Sequence, residues 1–290
     1  MKALSLRHFL LALAVVAVWG SNFTVAKLGL REIPPLFFTF LRFFFAFLPL
    51  AFFIRRPAVR WRLLAAYGIL IGAVQFGFLY AALERDISPG LASLVIQSQV
   101  FVTIGLSMAF SGERVKPYQW AALLLASSGL GIIVIHGGAD ATPLGVAMVL
   151  VAACGWAGGN QVSRMSGQVD MLAYVVWSSL FALPPLLLAA LLIDGWPAIA
   201  ASVRKAGIGT WSAVAYQSVA NTMFGYGVWG WLLSRYPVAT VAPLSLLVPV
   251  FGFTVSALVL GESFPFWKLA AFALVLVGLG FNLFWPRLRA

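Results

Sequence analysis

The sequence predicts an all-α polytopic membrane protein, with ten transmembrane helices forming two inverted-topology five-helix repeats around a central cavity. Three observations predict it. Hydrophobic residues make up 62% of the 290-residue chain and charged residues 9%, against about a quarter charged in a soluble domain. The apolar residues fall into ten runs of about 20, the length needed to cross a hydrocarbon layer of about 30 Å. The chain also repeats itself at a spacing of 149 residues. Gly112-Glu113 is followed, sixteen residues after the Glu, by Gly129-Leu130-Gly131, and Gly261-Glu262 is followed at the same interval by Gly278-Leu279-Gly280. Ala121, Ala122 and Leu125 fall on Ala270, Ala271 and Leu274 without a gap.

The runs follow in order. The first, 9–27, ends at Arg31-Glu32-Ile33-Pro34; the second, 34–54, ends at Arg55-Arg56-Pro57. The third, 63–83, stops at Glu84-Arg85-Asp86, and the fourth, 90–110, at Gly112-Glu113. The fifth, 117–135, closes on His136-Gly137-Gly138-Ala139-Asp140. The second half supplies 143–164, 171–193, 209–233, 238–260 and 265–285. A membrane β-barrel would show alternating segments of about ten residues; these runs are too long and too uniformly apolar, so every backbone bond is expected within helices. Lys2 and Arg7 before the apolar stretch Phe9–Val18 imitate a secretion signal. Cleavage would remove the first element of a repeat that is intact in mid-chain, so the segment is expected to be retained.

The net charge of +11 does not imply nucleic acid, because the basic residues are scattered between apolar runs instead of forming one face. They orient the chain. Twelve Lys and Arg lie on the side of the N-terminus and six on the other, which predicts both termini in the cytoplasm. Five spans per copy is an odd number, so the second copy must enter the membrane from the opposite side. The copies are expected at 1–138 and 139–290. Inverted repeats recur among secondary transporters, whose substrate sites lie near the midplane between the halves.

Several residues inside the spans are candidates for function. Arg42 sits within the second run, where a charge costs roughly 2.5–3.5 kcal/mol on insertion scales; it should face the protein interior, as a gating or structural charge. Trp19 and Asn22 share a face of the first span, and Trp156 and Asn160 share one on the sixth, its repeat counterpart. Gln97 and Gln99 are expected to project from different sides of the fourth span. Gln217 and Asn221 lie one turn apart on the eighth, followed by Tyr226 and Trp229. Such amides either bind helices together, at roughly 1 kcal/mol or less each, or meet a ligand. An amide both donates and accepts, which suits a zwitterion.

All eight Asp and Glu residues fall at span ends or in loops, so no midplane carboxylate is available to carry protons. Glu113 and Glu262 follow glycines at helix ends and are expected to cap or to pair with neighbours such as Arg114. Cys154 is the only cysteine, so no disulfide or Cys metal cage can form. His8 and His136 lie near span ends, and no His cluster exists. No phosphate-cradling motif and no nucleophile constellation appears, so neither an enzyme nor a cofactor is expected.

Taken together, these stretches resemble the drug/metabolite transporter superfamily and its EamA-type exporters: Trp19-Gly-Ser-Asn22-Phe, Pro34-Pro35 through Leu41-Arg42-Phe43, Gly90 through Gln97-Ser-Gln99-Val-Phe101, Gly112-Glu113-Arg114, Gly225-Tyr-Gly-Val-Trp229-Gly, and Val241 through Pro243-Leu-Ser245 to Pro249. The Gln97/Gln99 stretch and the Pro243–Pro249 run look closest to the branch that exports O-acetylserine and cysteine. The resemblance implies ten helices in two inverted repeats in a bacterial inner membrane, exporting amino acids or related metabolites. The expected partners are a small-molecule substrate and the lipid bilayer, with no nucleic acid; a monomer satisfies this. Trp19, Asn22, Gln97, Gln99, Trp156, Asn160, Gln217, Asn221, Tyr226 and Trp229 are expected to line a cavity between spans 1, 3, 4, 6, 8 and 9. Efflux of a hydrophobic or cationic drug and a non-transporting scaffold are the competing readings.

Overall fold

The structure is a computed structural model that describes residues 5–111, 117–138, 140–236 and 238–288. Gly112, Glu113 and Arg114 lie outside the described residues. Among those described, the helices join into ten rods: Leu6–Gly29, Pro35–Ala51, Trp61–Arg85, 89–111, Pro117–His136, Pro143–Met165, Met171–Ile193, 208–235, 238–260 and Phe266–Leu288. Six are long and apolar enough to cross a membrane unaided, and Pro35–Ala51, Leu244–Leu260 and Phe266–Asn282 are shorter apolar helices. Burial is inverted relative to a water-soluble protein. Phe53, Leu258 and Phe266 are at least 80% exposed, whereas Arg42 and Gln217 are fully buried. An apolar exterior, with the polar side chains of the spans turned into the interior, is what a lipid solvent selects.

Local chemistry sets the helix ends. Prolines at the first helical turn open the second, fourth and sixth spans, where a missing N–H costs nothing. Thr142 accepts the Gly145 N–H at 3.0 Å, and Asp170 accepts those of Leu172 and Ala173. The ninth span stops at Gly261, whose φ of 69° is the left-handed conformation a helix C-terminus favours in glycine.

One element was not expected from the sequence. Gly195–Lys205 forms an amphipathic helix between the seventh and eighth spans, with Ile199 buried, Trp196 exposed, and Arg204 and Lys205 in the last turn. It is too short to cross a membrane and turns away from the seventh span at Gly195, where φ is 76°.

The most extensive packing joins the first span to the eighth and ninth, the second to the third, seventh and eighth, the third to the sixth and seventh, the fourth to the sixth and ninth, the fifth to the tenth, and the seventh to the eighth. This set is unchanged when spans 1–5 are exchanged for spans 6–10. The irregularities follow the same exchange. A π-helical stretch occupies Ile69–Gly77 in the third span and Tyr216–Phe224 in the eighth. A 3-10 turn occupies Ile96–Ser98 in the fourth and Ala242–Leu246 in the ninth.

The repeated glycines explain the contact of the fifth and tenth spans. A Cβ on Gly129 would stand 2.9 Å from the Ala271 carbonyl oxygen and 3.3 Å from the Leu274 Cβ. A Cβ on Gly278 would stand 2.7 Å from the Ala122 carbonyl oxygen and 3.3 Å from the Leu125 Cβ. These pairs are each other's images at the 149-residue spacing, so the contact is reciprocal, as in an isologous interface. Small residues let two backbones approach in a membrane. Gly131 meets nothing within 4 Å and Gly280 only a ring edge at 4.0 Å. Gly129→Val and Gly278→Val should therefore each lose about 1–3 kcal/mol, while Gly131→Val and Gly280→Val should be far milder; thermal unfolding of the four variants in detergent checks this.

Candidate functional site

A cavity of about 690 Å³ lies between the first, third, fourth, sixth, eighth and ninth spans and extends to the loop after the sixth, at Gly167–Val169. That size is within the usual range for small-molecule sites. Its wall contains Trp19, Asn22, Gln97, Gln99, Trp156, Asn160, Asn221, Tyr226 and Trp229. Trp19 and Trp229 have ring centroids 5.1 Å apart, Trp19 and Tyr226 5.6 Å. The Trp19 indole N–H points to the Asn221 carbonyl at 3.4 Å, and Gly225 makes room for that indole, because a Cβ there would collide with it.

Gln97 and Gln99 reach the same cavity, contrary to the expectation that they project from different sides. The 3-10 turn at Ile96–Ser98 narrows the angle between residues two apart from about 160° to about 120°. The Gln97 amide N–H also reaches the Ser245 carbonyl at 3.5 Å, joining the fourth and ninth spans at their matched 3-10 turns.

Gln217 does not reach the cavity wall. It is fully buried behind Asn22 and Asn221, in a network centred on Arg42. The Arg42 guanidinium donates to the Tyr80 hydroxyl at 2.5 Å, Gln217 Oε1 at 3.2 Å and Thr222 Oγ1 at 3.1 Å. It also lies 3.6 Å from the centroid of the Phe76 ring. Tyr80 in turn faces Asn22 Oδ1 at 2.9 Å and Gln217 Oε1 at 2.8 Å. The Asn221 amide sits 2.6 Å from Asn22 Oδ1 and 2.9 Å from Gln217 Oε1. Turning that amide over places its oxygen 3.1 and 3.2 Å from the two guanidinium nitrogens. Hydrogen-bond complementarity favours this orientation of Asn221 beside a cation. The network binds the first, second, third and eighth spans together, and every polar partner of Arg42 in it is neutral.

The π-helical stretches carry three of these amides: Gln75 in the third span, Gln217 and Asn221 in the eighth. A π-turn widens the helix and shifts its side chains, a device frequent at functional sites. Thr222 Oγ1 donates to the Gln217 carbonyl at 2.9 Å, satisfying a backbone acceptor inside the irregular stretch. Sequence reasoning missed Gln75 and Tyr80. Gln75 lines the cavity, is 3% exposed, and its Oε1 is buried without a hydrogen-bond partner among the described residues. A lone amide in an otherwise apolar run was the available signal.

The opposite end of the bundle is closed by polar clasps. Lys27 donates to the carbonyls of Leu83 and Glu84 at 2.6 and 3.0 Å. Ser88 donates to Glu262 at 3.1 Å and Thr142 to Asp86 at 2.8 Å. Lys268 and Asp140 pair at 3.0 Å, and residues 86–88 bond 140–142 through Ser88 N–H to Asp140 and Thr142 N–H to Asp86. Glu262 therefore lies in this closure and not in the cavity. No group of three or more His, Cys, Asp or Glu able to hold a metal occurs among the described residues.

The sequence profile of the EamA-like transporter family matches residues 6–135 and 143–284 separately. The chain belongs to the EamA-like transporter family. It is 40% identical over 285 residues to a protein of Salmonella typhimurium named "Probable amino-acid metabolite efflux pump", covering 96% of this chain and 95% of that one. It is 38% identical to the Escherichia coli K12 protein of the same name, covering 99% and 98%. A crystal structure 20% identical in sequence shares the fold, with a TM-score of 0.65 over 98% of this chain and 99% of that one. As an EamA-family member, the chain is a multi-pass membrane transporter.

Glu32 adds a pH-sensitive tie on the closed side. Its carboxylate accepts the Thr210 hydroxyl at 2.6 Å and the Gly207 N–H at 2.8 Å, capping the start of the eighth span. The Thr210 hydroxyl first, and the Gly207 amide second, hold the Glu32 carboxyl below its ordinary value. A lowered folded value means that the tie's contribution is complete above the ordinary carboxylate range and is lost as pH falls through the lowered value. Amide hydrogen exchange at Gly207–Trp211 should accelerate, beyond its intrinsic pH dependence, on acidification into that range. Glu32→Gln should flatten the response.

Proposed function

We propose that this chain exports amino acids or closely related small metabolites, of the cysteine and O-acetylserine kind, across the inner membrane by alternating access. The observation that carries this reading is the cavity itself. It is open at one end, clasped at the other, and lined by amides and aromatic rings without an Asp or Glu among its described lining residues. Amides supply donors for a carboxylate and acceptors for an ammonium. The faces of Trp19, Tyr226 and Trp229 suit an ammonium. The names of the Salmonella and Escherichia relatives agree with this substrate class.

In this reading 1–138 and 139–290 are two repeats of opposite topology. The paired irregularities, the exchange-invariant packing and the reciprocal Gly129/Gly278 contact support it, as does the double match to the family profile. The Lys and Arg bias places both termini in the cytoplasm. The cavity then opens to the cytoplasm, because the loop at Gly167–Val169 lies on the side of the termini. The clasps of Lys27, Ser88, Asp86 and Glu262 form the outer closure. Rocking one half against the other would break these clasps and close the inner mouth.

Efflux of a cationic drug is disfavoured by charge. Arg164 lines the cavity and Arg42 stands behind its wall, with no described acidic side chain in the lining to offset them. A scaffold would fully pair its own polar stripes; Gln75 Oε1 has no partner among the described residues.

Purified protein in liposomes should exchange labelled amino acids from a panel, and the exchange should be indifferent to a pH gradient, since the cavity offers no described carboxylate to carry a proton. Absence of flux with every amino acid would refute the reading. Gln97→Leu and Asn221→Leu should each lower exchange about tenfold or more, a barrier change of about 1.4 kcal/mol or more. Stability should fall by only about 1 kcal/mol in Gln97→Leu, the worth of an interhelical hydrogen bond, and by about 1–3 kcal/mol in Asn221→Leu, which also takes an acceptor from Arg42. Two variants that merely unfold would return these amides to the role of helix glue.

A further inference from the structure

Arg42 is fully buried in a Phe-rich helix, and its polar partners are two hydroxyls and two amides. Neutral acceptors satisfy its N–H groups but leave its charge uncompensated, and a buried charge is ordinarily paired. The described carboxylates lie at span ends and in loops, none bonded to it. The cavity, however, is one side-chain layer away. Asn22, Asn221 and Phe76 belong at once to the cavity wall and to the surroundings of the guanidinium.

The geometry points to the Asn22–Asn221 wall as the docking site for the substrate's carboxylate, with Arg42 as the fixed counter-charge behind it. This rests on the reading of the cavity as an amino-acid site and adds an orientation to it. The carboxylate takes amide N–H groups from Asn22 and Asn221, and the guanidinium favours the anion through a low-dielectric wall, where a charge acts more strongly than in water. The ammonium points away from Arg42, toward the Trp19–Tyr226–Trp229 aromatic group. The ligand class is a zwitterion with a free carboxylate. Arg42 acts through the amides and is a positioning residue. Its loss should change which ligands are accepted, whereas a purely structural brace would lower all binding alike.

The test is competition against labelled amino-acid exchange in liposomes, using L-serine, L-cysteine and L-phenylalanine, each beside its own carboxamide. In the wild type every transported amino acid should compete at least about tenfold better than its carboxamide, a difference of about 1.4 kcal/mol or more. In Arg42→Gln the ratio should collapse toward one, and in Arg42→Lys, which keeps the charge, it should remain above one. Retention of the full wild-type ratio in Arg42→Gln overturns the inference and leaves amino-acid export standing. A wild type that exchanges none of the three acids removes both readings. If Arg42→Gln is not monodisperse, the wild type decides by infrared difference spectroscopy with carboxyl-¹³C-labelled L-serine, L-cysteine and L-phenylalanine. For an exchanged acid, a bound carboxylate stretch displaced from its position in water supports the assignment; an undisplaced band overturns it.

Discussion

A guanidinium with no acidic partner among the described residues, held in the middle of an apolar bundle, is the constraint around which the interior is organised. Arg42 has a planar fork of five donors on a weakly hydrated cation, the form of positive charge best suited to burial. Its hydrogen bonds to Tyr80, Gln217 and Thr222 and its seat over Phe76 join the second span to the third and eighth. Through Tyr80 and Gln217 the network also holds Asn22 of the first span. Removing any one acceptor leaves a donor unpaired in low dielectric, which costs more than the bond itself contributes. The polar wall of the cavity is the outer layer of this network. Its position follows from the need to satisfy the charge behind it.

The two ends of the bundle are built differently. The closed end relies on charge-assisted and backbone hydrogen bonds, including Lys27 to two helix-end carbonyls, Glu32 at the start of the eighth span, and Ser88 to Glu262. The open end is framed by helix termini and the 166–170 loop. Three of the clasps join residues before 138 to residues after it: Ser88 with Glu262, Asp86 with Thr142, and Glu32 with Gly207 and Thr210. They are discrete, exposed at their edges and individually weak, which suits the opening that the proposed alternating access calls for. The contact of the fifth and tenth spans, tight at Gly129 and Gly278, offers a fixed seam about which the rest can move.

Much of this architecture is legible in the sequence, because lipid imposes a coarse rule. Each apolar run of sufficient length becomes a helix, and Arg42 inside such a run must turn inward. The doubled Gly-Leu-Gly was read as a mark of duplication, and its first glycines prove to be the places where two backbones meet. What escaped depends on tertiary packing. Nothing in Ile69–Gly77 or Tyr216–Phe224 marks a π-helix by composition, so Tyr80 carries no visible signal and Gln75 shows only as a lone amide in an apolar run. Gln217 was placed at the cavity by regular helical spacing, and Gln97 and Gln99 were separated by it. The irregular turns and the pull of Arg42 overrode that spacing. The helix at Gly195–Lys205 was hidden because Gly195-Trp196-Pro197 reads as a break, although proline is tolerated in a first helical turn.

The central claim is that one cavity is offered to the two sides in turn. Replacing Cys154, the single cysteine, with serine allows spin labels to be attached in pairs at exposed positions. Arg85 with Ile208 would report the clasped end, and Gln168 with Arg235 the open end. Pulsed electron-spin distance measurements in liposomes, with and without a transported amino acid, then read both ends. The account predicts a longer population appearing across Arg85–Ile208 together with a shorter one across Gln168–Arg235. Distances that stay fixed at both ends under conditions of active exchange would contradict it.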